Sequence, residues 1–453
     1  MHKEQKIVVG GPLANSRRRF LRNATAATAA AAFFPALVPA SALGRDGSRP
    51  APSNRVAIGV LGLQQGWESF YNSTAFADVE GVALCDLDSE RLEFRLGEAR
   101  RRRNCSSVRG YRDYREFLDD GRLDAVILAA PDHWHGVMCV AAARKGLDIY
   151  GEKPLARTLK EGRAIVEAVK QHGRVWQTGM WQRSKRDFLR AVQIVRSGRI
   201  GKIKRAHVGT LGFWGNHPEN ARNYAKVVES KFKGSVGKPP PNIDYDMWVG
   251  PAQWMEYHPH VVHYNWRWVL NFGGGNLLDW VSHYFDIAQW GLNFDNTGPV
   301  KISGKADFAT TPPWDAPKNY RYDCTYADGT VVTVDSSYGT KWYGEDGQWI
   351  YVSRERLEAS DKSILECSLP EESIRDVYVS HNHWRNWIDC IKTRGETITP
   401  VETAHRTASV GHLGLIAVTT GRTIHWDPVS ETIKDDPLAT AMLSPVYRAP
   451  YGI

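Results

Sequence analysis

Cysteine is scarce and nowhere paired by spacing. The chain holds six in 453 residues, with no Cys-x-x-Cys and no arrangement that gathers thiolates round a metal. That argues against a zinc-ribbon or disulfide-stapled scaffold. Cys85, Cys105, Cys139, Cys324, Cys367 and Cys390 are expected to be buried free thiols. Long apolar runs are missing too. The alanine-rich stretch from Ala24 to Val38 falls short of the ~20 residues a bilayer crossing needs, and no later stretch reaches that length. Excess charge also fades on inspection. The formal net charge is +8, but residues 1–42 carry Lys3, Lys6, Arg17, Arg18, Arg19 and Arg22 against Glu4, a net of +5, so the rest holds +3. A balance that small points away from nucleic acid. The dense basic run from Arg100 to Arg103 closes an amphipathic stretch and reads as a solvated helix end, with contact to a phosphate-bearing ligand as the alternative.

The N-terminal segment explains most of that charge. Ser16-Arg17-Arg18-Arg19-Phe20-Leu21-Arg22 precedes the apolar stretch, and Ala40-Ser41-Ala42 follows with small residues suited to cleavage. Twin arginines before Phe-Leu are the address of the twin-arginine export pathway. The expectation is a signal peptide over 1–42, a linker over 43–54, and a periplasmic or otherwise extracytoplasmic protein without stable membrane insertion. Folding in the reducing cytoplasm before export agrees with unpaired thiols. The roughly 410 residues that remain exceed what one core supports, so two domains are expected, over 55–178 and 179–453.

From Arg55 to Thr178 apolar strands alternate with amphipathic helices. The strands read 56–61, 82–85, 125–130, 148–150 and 175–178. Such alternation predicts a parallel, doubly wound sheet whose ligand lies at the strands' carboxyl ends. The first strand runs into Gly62, and Asp86 closes the second, 24 residues later. That spacing suits a dinucleotide fold, with Asp86 accepting from the adenosine ribose and repelling a 2′-phosphate, which favours NAD over NADP. The glycine fingerprint is altered. Counted from Gly62, the second glycine position holds Gln64 and the third Trp67, with Gly66 between them.

Further stations follow the strands. Pro131-Asp132-His133-Trp134-His135 turns off the 125–130 strand, where Pro131 and His135 would line a cofactor; a capped helix start is the structural alternative for either histidine. Asp148-Ile149-Tyr150-Gly151-Glu152-Lys153-Pro154 puts Glu152 and Lys153 at the sheet's carboxyl edge. Downstream, Gly273-Gly274-Gly275 introduces a helix over 276–292, on which Asp279, His283, Asp286 and Trp290 recur at intervals of four, three and four. They form one polar stripe on an otherwise apolar helix, expected to line a cavity, with an internal Asp–His pair as the alternative. An imidazole with a pKa near neutrality suits proton transfer.

The PDHWH, GEKP and Gly179-Met180-Trp181-Gln182-Arg183-Ser184 stations, together with Trp266-Arg267-Trp268, residues 273–292 and 401–428, resemble the glucose–fructose oxidoreductase/inositol dehydrogenase (Gfo/Idh/MocA) family, in its exported branch. The resemblance implies an α/β fold: a Rossmann domain, then an α+β domain on a large, mostly antiparallel sheet whose outer face often forms a dimer or tetramer interface. It places the catalytic lysine on Lys153 and the Asp-x-x-x-His dyad on Asp279 and His283, with Asp279 either orienting the imidazole and stabilising the imidazolium or contacting a neighbouring hydroxyl. Arg183 and Arg267 become candidate substrate contacts and Trp181 and Trp268 candidate stacking surfaces, each equally readable as structural. The activity implied is oxidation of a sugar or polyol hydroxyl by a firmly held NAD. Alternatives are an NAD-dependent glycoside-cleaving enzyme working by transient oxidation and elimination, and a cofactor-less sugar-binding protein.

Overall fold

The computed structural model describes residues 49–212, 236–310 and 312–453. Residues 1–48, which hold the expected signal peptide and the first part of the expected linker, lie outside the described residues. Residues 49–54 are tied down: the Arg49 guanidinium donates to the carbonyls of Ala77 (3.0 Å) and Val79 (2.8 Å).

Six parallel strands form the first sheet: β1 (Val56–Leu61), β2 (Val79–Cys85), β3 (Arg109–Tyr111), β4 (Ala125–Leu128), β5 (Asp148–Gly151) and β6 (Trp176–Thr178), in the order β3-β2-β1-β4-β5-β6. Every residue of β1 is buried, because helices cover both faces of a doubly wound sheet. These helices are α1 (Gly66–Ser73), α2 (Ser89–Arg100), α3 (Asp132–Arg144) and α4 (Leu159–Gln171). Their starts are written in the sequence. The Asp88 carboxylate accepts from the Glu90 and Arg91 amides to cap α2, and the Thr158 hydroxyl accepts from the Glu161 amide to cap α4. The short strand β3 was not foreseen; its Arg-Gly-Tyr is largely exposed and carries no apolar run.

The second sheet has nine strands: β7 (Arg205–Thr210), β8 (Lys301–Phe308), β9 (Pro317–Thr325), β10 (Val331–Asp335), β11 (Tyr338–Tyr343), β12 (Trp349–Val352), β13 (Leu357–Ala359), β14 (Ile424–Asp427) and β15 (Thr432–Ile433). Their order is β13-β12-β11-β7-β10-β9-β8-β14-β15, antiparallel except between β7 and β10. Against it pack α5 (Arg186–Arg196), α6 (Gly275–Leu292) and α8 (Val401–Thr420), in one core that includes Val192, Tyr284, Trp342 and Leu413. All of α6 but Leu292 is buried, and α8 crosses it closely: a Cβ on Gly411 would stand 2.8 Å from Val281 Cγ1.

The late helices do not stay with the second sheet. Trp387, Ile388 and Ile391 of α7 (His383–Thr393) join Tyr150 in the first domain's core, and Val401, Ala404 and Ala408 of α8 pack with Ile165 of α4. The chain thus returns to its first domain, so α6 and the carboxyl edge of the parallel sheet face each other across a fixed junction.

Candidate active site

A cleft of about 850 Å³, part of it open to solvent, lies at the carboxyl ends of β1, β2 and β4, where the strand order reverses. Gly62, Gln64, Asp86 and Pro131 line it. Gly62 has φ +87°, and a Cβ there would meet the Ala129 carbonyl oxygen at 2.3 Å. Gly66 opens α1, and its Cβ would fall 2.7 Å from Val60 Cγ2 and 2.9 Å from Ala129 Cβ. Gly66 therefore provides the close helix–strand packing of the fingerprint's third glycine, one position early. The loop is short by a residue, and Trp67, counted into that place from sequence, turns into the core beside Phe70. Asp86 spans the turn: Oδ2 accepts from the Leu63 amide and Oδ1 from the Asp88 amide, both at 2.9 Å. A tight glycine turn under a helix start, with a carboxylate at the end of the second strand, fits a dinucleotide.

Behind Arg267, which lines the cleft, lies a buried ion pair. Lys153 Nζ donates to Asp279 Oδ1 at 2.7 Å, joining the edge of the parallel sheet to α6. Arg267 belongs to both places. Its Nη2 donates to Gln65 Oε1 at 2.6 Å and its Nε lies 3.6 Å from Asp279 Oδ1. Burial draws the Asp279 carboxyl upward, but Lys153 and Arg267 outweigh it and hold it below its usual range. Asp132, the first residue of α3, has the opposite fate: burial, with the Asp279 charge beside it, pushes it up to about 8. Burial also raises Glu152, to about 7, against the pull of Lys153.

His283 stands one turn along α6, and of the two roles open to Asp279 the geometry does not show the ring-orienting one. No hydrogen bond joins it to Asp279 among the described residues, and its buried Nδ1 has no partner. Asp279 orients Lys153 instead. Burial, then the positive charges of Lys153 and Arg354, hold the imidazole's pKa well below 6.5, so it is neutral at physiological pH rather than poised there. Trp280 meets it edge-on at 5.2 Å and Trp181 lies 6.3 Å away.

Several expected contacts fall elsewhere. His135 sets one ring nitrogen against the Pro154 carbonyl and the other against that of Ala130, each at 2.8 Å, leaving neither for a cofactor; it fixes the turn that carries Lys153. His133 likewise meets the Trp248 carbonyl at 3.0 Å. Arg183 is buried between Asp286 and Asp295, with contacts of 2.6 to 3.1 Å, and lies over Trp290. The lower half of the α6 stripe is therefore an internal salt bridge, not a cavity wall. Trp268 is 1% exposed, which leaves no face for stacking. Trp181 does stand at the site. Missed from sequence were Gln65, Asp132 and Arg354. Asp132 sits inside the PDHWH station and was readable as a helix-start acid, whereas Arg354 lies in a turn between β12 and β13 with no local signal.

A cleft at the switch point of a doubly wound parallel sheet, with a glycine turn and a strand-end carboxylate, defines a dinucleotide-binding fold. Comparison with known proteins narrows the class. Residues 56–180 match the oxidoreductase family's NAD-binding Rossmann fold and residues 223–453 its C-terminal alpha/beta domain, so the chain belongs to the Gfo/Idh/MocA family. D-apiose dehydrogenase of Paraburkholderia graminis is 25% identical over 77% of this chain and 84% of its own. Inositol 2-dehydrogenase of Salmonella typhimurium is 29% identical over 28% of this chain, a match spanning 37% of that enzyme's length. Among solved structures, the WlbA dehydrogenase of Bordetella pertussis in complex with NADH and UDP-GlcNAcA superposes with a TM-score of 0.59 at 16% identity, covering 82% of this chain and 99% of that one. Levoglucosan dehydrogenase with NADH and levoglucosan gives 0.56 at 18%, over 82% and 98%. These likenesses establish the fold. No group of residues that could hold a metal occurs among the described residues.

Proposed function

We propose that the protein oxidises a secondary hydroxyl of a sugar, polyol or sugar derivative. The observation that carries the reading is the Lys153–Asp279 pair, tied to the cleft through Arg267, on the same helix as a neutral His283 whose Nδ1 has no hydrogen-bond partner. NAD, when bound, supplies the hydride acceptor. The chain's own residues supply alignment and proton handling. The Lys153 ammonium, held by Asp279, donates to the reacting oxygen and stabilises the negative charge that grows there as the C–H bond breaks. His283 takes the hydroxyl proton as the carbonyl forms; its uncharged state at neutral pH leaves a nitrogen lone pair free for it. Gly62, Gly66 and Asp86 hold the dinucleotide, and Arg267 ties its loop to the catalytic carboxylate through Gln65. We further infer export by the twin-arginine route with the cofactor firmly held, since free NAD is scarce outside the cytoplasm.

Denaturing the purified protein and identifying released nucleotide, then offering NAD with sugars, polyols and chromogenic glycosides, tests this reading. Bound or readily bound NAD and substrate-dependent reduction are expected. Failure to bind NAD would overturn it, and glycoside cleavage without net reduction would replace it with redox-assisted elimination.

A further inference from the structure

A second cleft, of about 990 Å³ and partly open to solvent, lies where the approach to α4, the last turns of α8, the loops at 251–253 and 270–271 and the 442–447 tail meet. It shares no lining residue with the dinucleotide cleft, and Lys153, Asp279 and His283 are not in its walls. Small-molecule sites span roughly 300–1,000 Å³. Its walls are fastened to one another. The Tyr447 hydroxyl donates to Glu161 Oε1 at 2.9 Å, Gln253 Nε2 to the Val446 carbonyl at 2.6 Å, and the Lys160 amide to the Leu443 carbonyl at 3.0 Å.

Two side chains of the lining have hydrogen-bonding capacity to spare. His412, 5% exposed, has a buried Nε2 without a partner. Burial and the nearby Arg157 charge push its pKa down to about 3, so the ring is neutral. Arg157 donates to the Leu270 carbonyl from Nε at 3.0 Å and from Nη2, while Nη1 makes no hydrogen bond among the described residues. A buried nitrogen left unmatched is a cost that a bound partner removes. Arg157 and Glu161 are the charged side chains of the lining, one of each sign. Burial raises the Glu161 carboxyl, and the Thr158 and Tyr447 hydroxyls and Arg157 oppose that rise. Such a cleft offers little net charge to an anion or a cation. A hydroxyl suits it better, because one oxygen can accept from a guanidinium while another gives or takes a proton at a neutral imidazole. Leu415, Ile416, Met442 and Pro445 add an apolar wall for C–H faces.

We propose that this cleft is a second binding site, separate from the catalytic one, for a neutral polyhydroxylated molecule of monosaccharide size, whose hydroxyls meet Arg157 Nη1 and His412 Nε2 while its C–H face lies on the Leu415–Ile416–Met442 wall.

Isothermal titration of the purified protein with D-glucose, myo-inositol and D-glucitol, and with D-glucuronate as the charged counterpart, tests it. At least one neutral polyol is expected to bind with Kd below about 10 mM, and at least as tightly as D-glucuronate. Thr419→Trp, at the exposed mouth, should weaken that binding about tenfold or more, and His412→Phe about three- to tenfold. NAD affinity measured on the same samples separates a loss at this cleft from a general loss of fold. Hydrogen exchange of the wild type should slow in the 442–447 tail when the polyol is added, and this decides the matter if a variant does not fold. Polyol binding that neither substitution weakens, or that leaves exchange in the tail unaltered, would overturn the proposal. So would D-glucuronate binding tighter by about tenfold, or no binding by any member of the panel. The dehydrogenase reading stands or falls apart from these outcomes.

Discussion

Asp132→Asn should stabilise the protein, and the gain should depend on pH. Asp132 is 3% exposed at the first turn of α3, close enough to Asp279 for their like charges to raise its pKa. In the folded chain its proton is held up to about 8, whereas the free side chain loses it at 3.8. For a carboxyl whose folded pKa is raised, stability is full below the unfolded value and falls as pH climbs towards the folded one. Each unit in that window costs about 1.4 kcal/mol, so at neutral pH the sum is about 4 kcal/mol. An asparagine never ionises in the unfolded chain and escapes this cost. Thermal unfolding of both proteins across the acid-to-neutral range measures it. The melting temperature of Asp132→Asn should match the wild type near pH 4, pull ahead as pH rises, and reach a constant advantage above about 8. An advantage that does not change with pH, or one that shrinks as pH rises, would mean that Asp132 is not held protonated in the folded chain.

Arg183→Met strands the buried carboxylate of Asp286 beside Asp295, a loss of about 3–5 kcal/mol that thermal unfolding should show, with Arg183→Met/Asp286→Asn recovering part of it. Gly66→Ala pushes α1 away from Val60 and Ala129 and displaces the loop beneath the dinucleotide, so NAD affinity measured by fluorescence titration should fall at least about tenfold; unchanged affinity would count against Gly66 as the packing glycine. Because His283 must be neutral to accept a proton and its pKa is depressed, kcat/KM should show no protonation of His283 at 6.5, and its acid limb, lost in His283→Ala, should lie well below that value.

The parallel sheet was legible because β1, β2, β4 and β5 are apolar runs separated by helix-length segments, a pattern that burial on both faces imposes. Lys153 and Asp279 were legible as candidates because each stands at a recognisable structural station, a sheet edge and a buried helix stripe. Their partnership was not, since the two lie 126 residues apart and only the fold joins them. Counting along the glycine loop misled for a related reason. The fingerprint describes distances between backbones, and Gly66 meets them with one residue fewer. Arg183 looked like a substrate contact because sequence shows an arginine near an active-site motif but not the Asp286 and Asp295 carboxylates that enclose it. Polar side chains on a buried helix announce that they need partners; whether the partner is a ligand or another side chain is decided in three dimensions.

Lys153, held by Asp279, is proposed to act on the reacting oxygen beside the dinucleotide cleft. Single-turnover reduction of NAD by the Lys153→Met enzyme, with nucleotide occupancy measured on the same sample, tests it most directly. NAD should remain bound while the reduction rate falls about a hundredfold or more. A Lys153→Met enzyme that keeps its nucleotide and reduces it within about tenfold of the wild-type rate would contradict it.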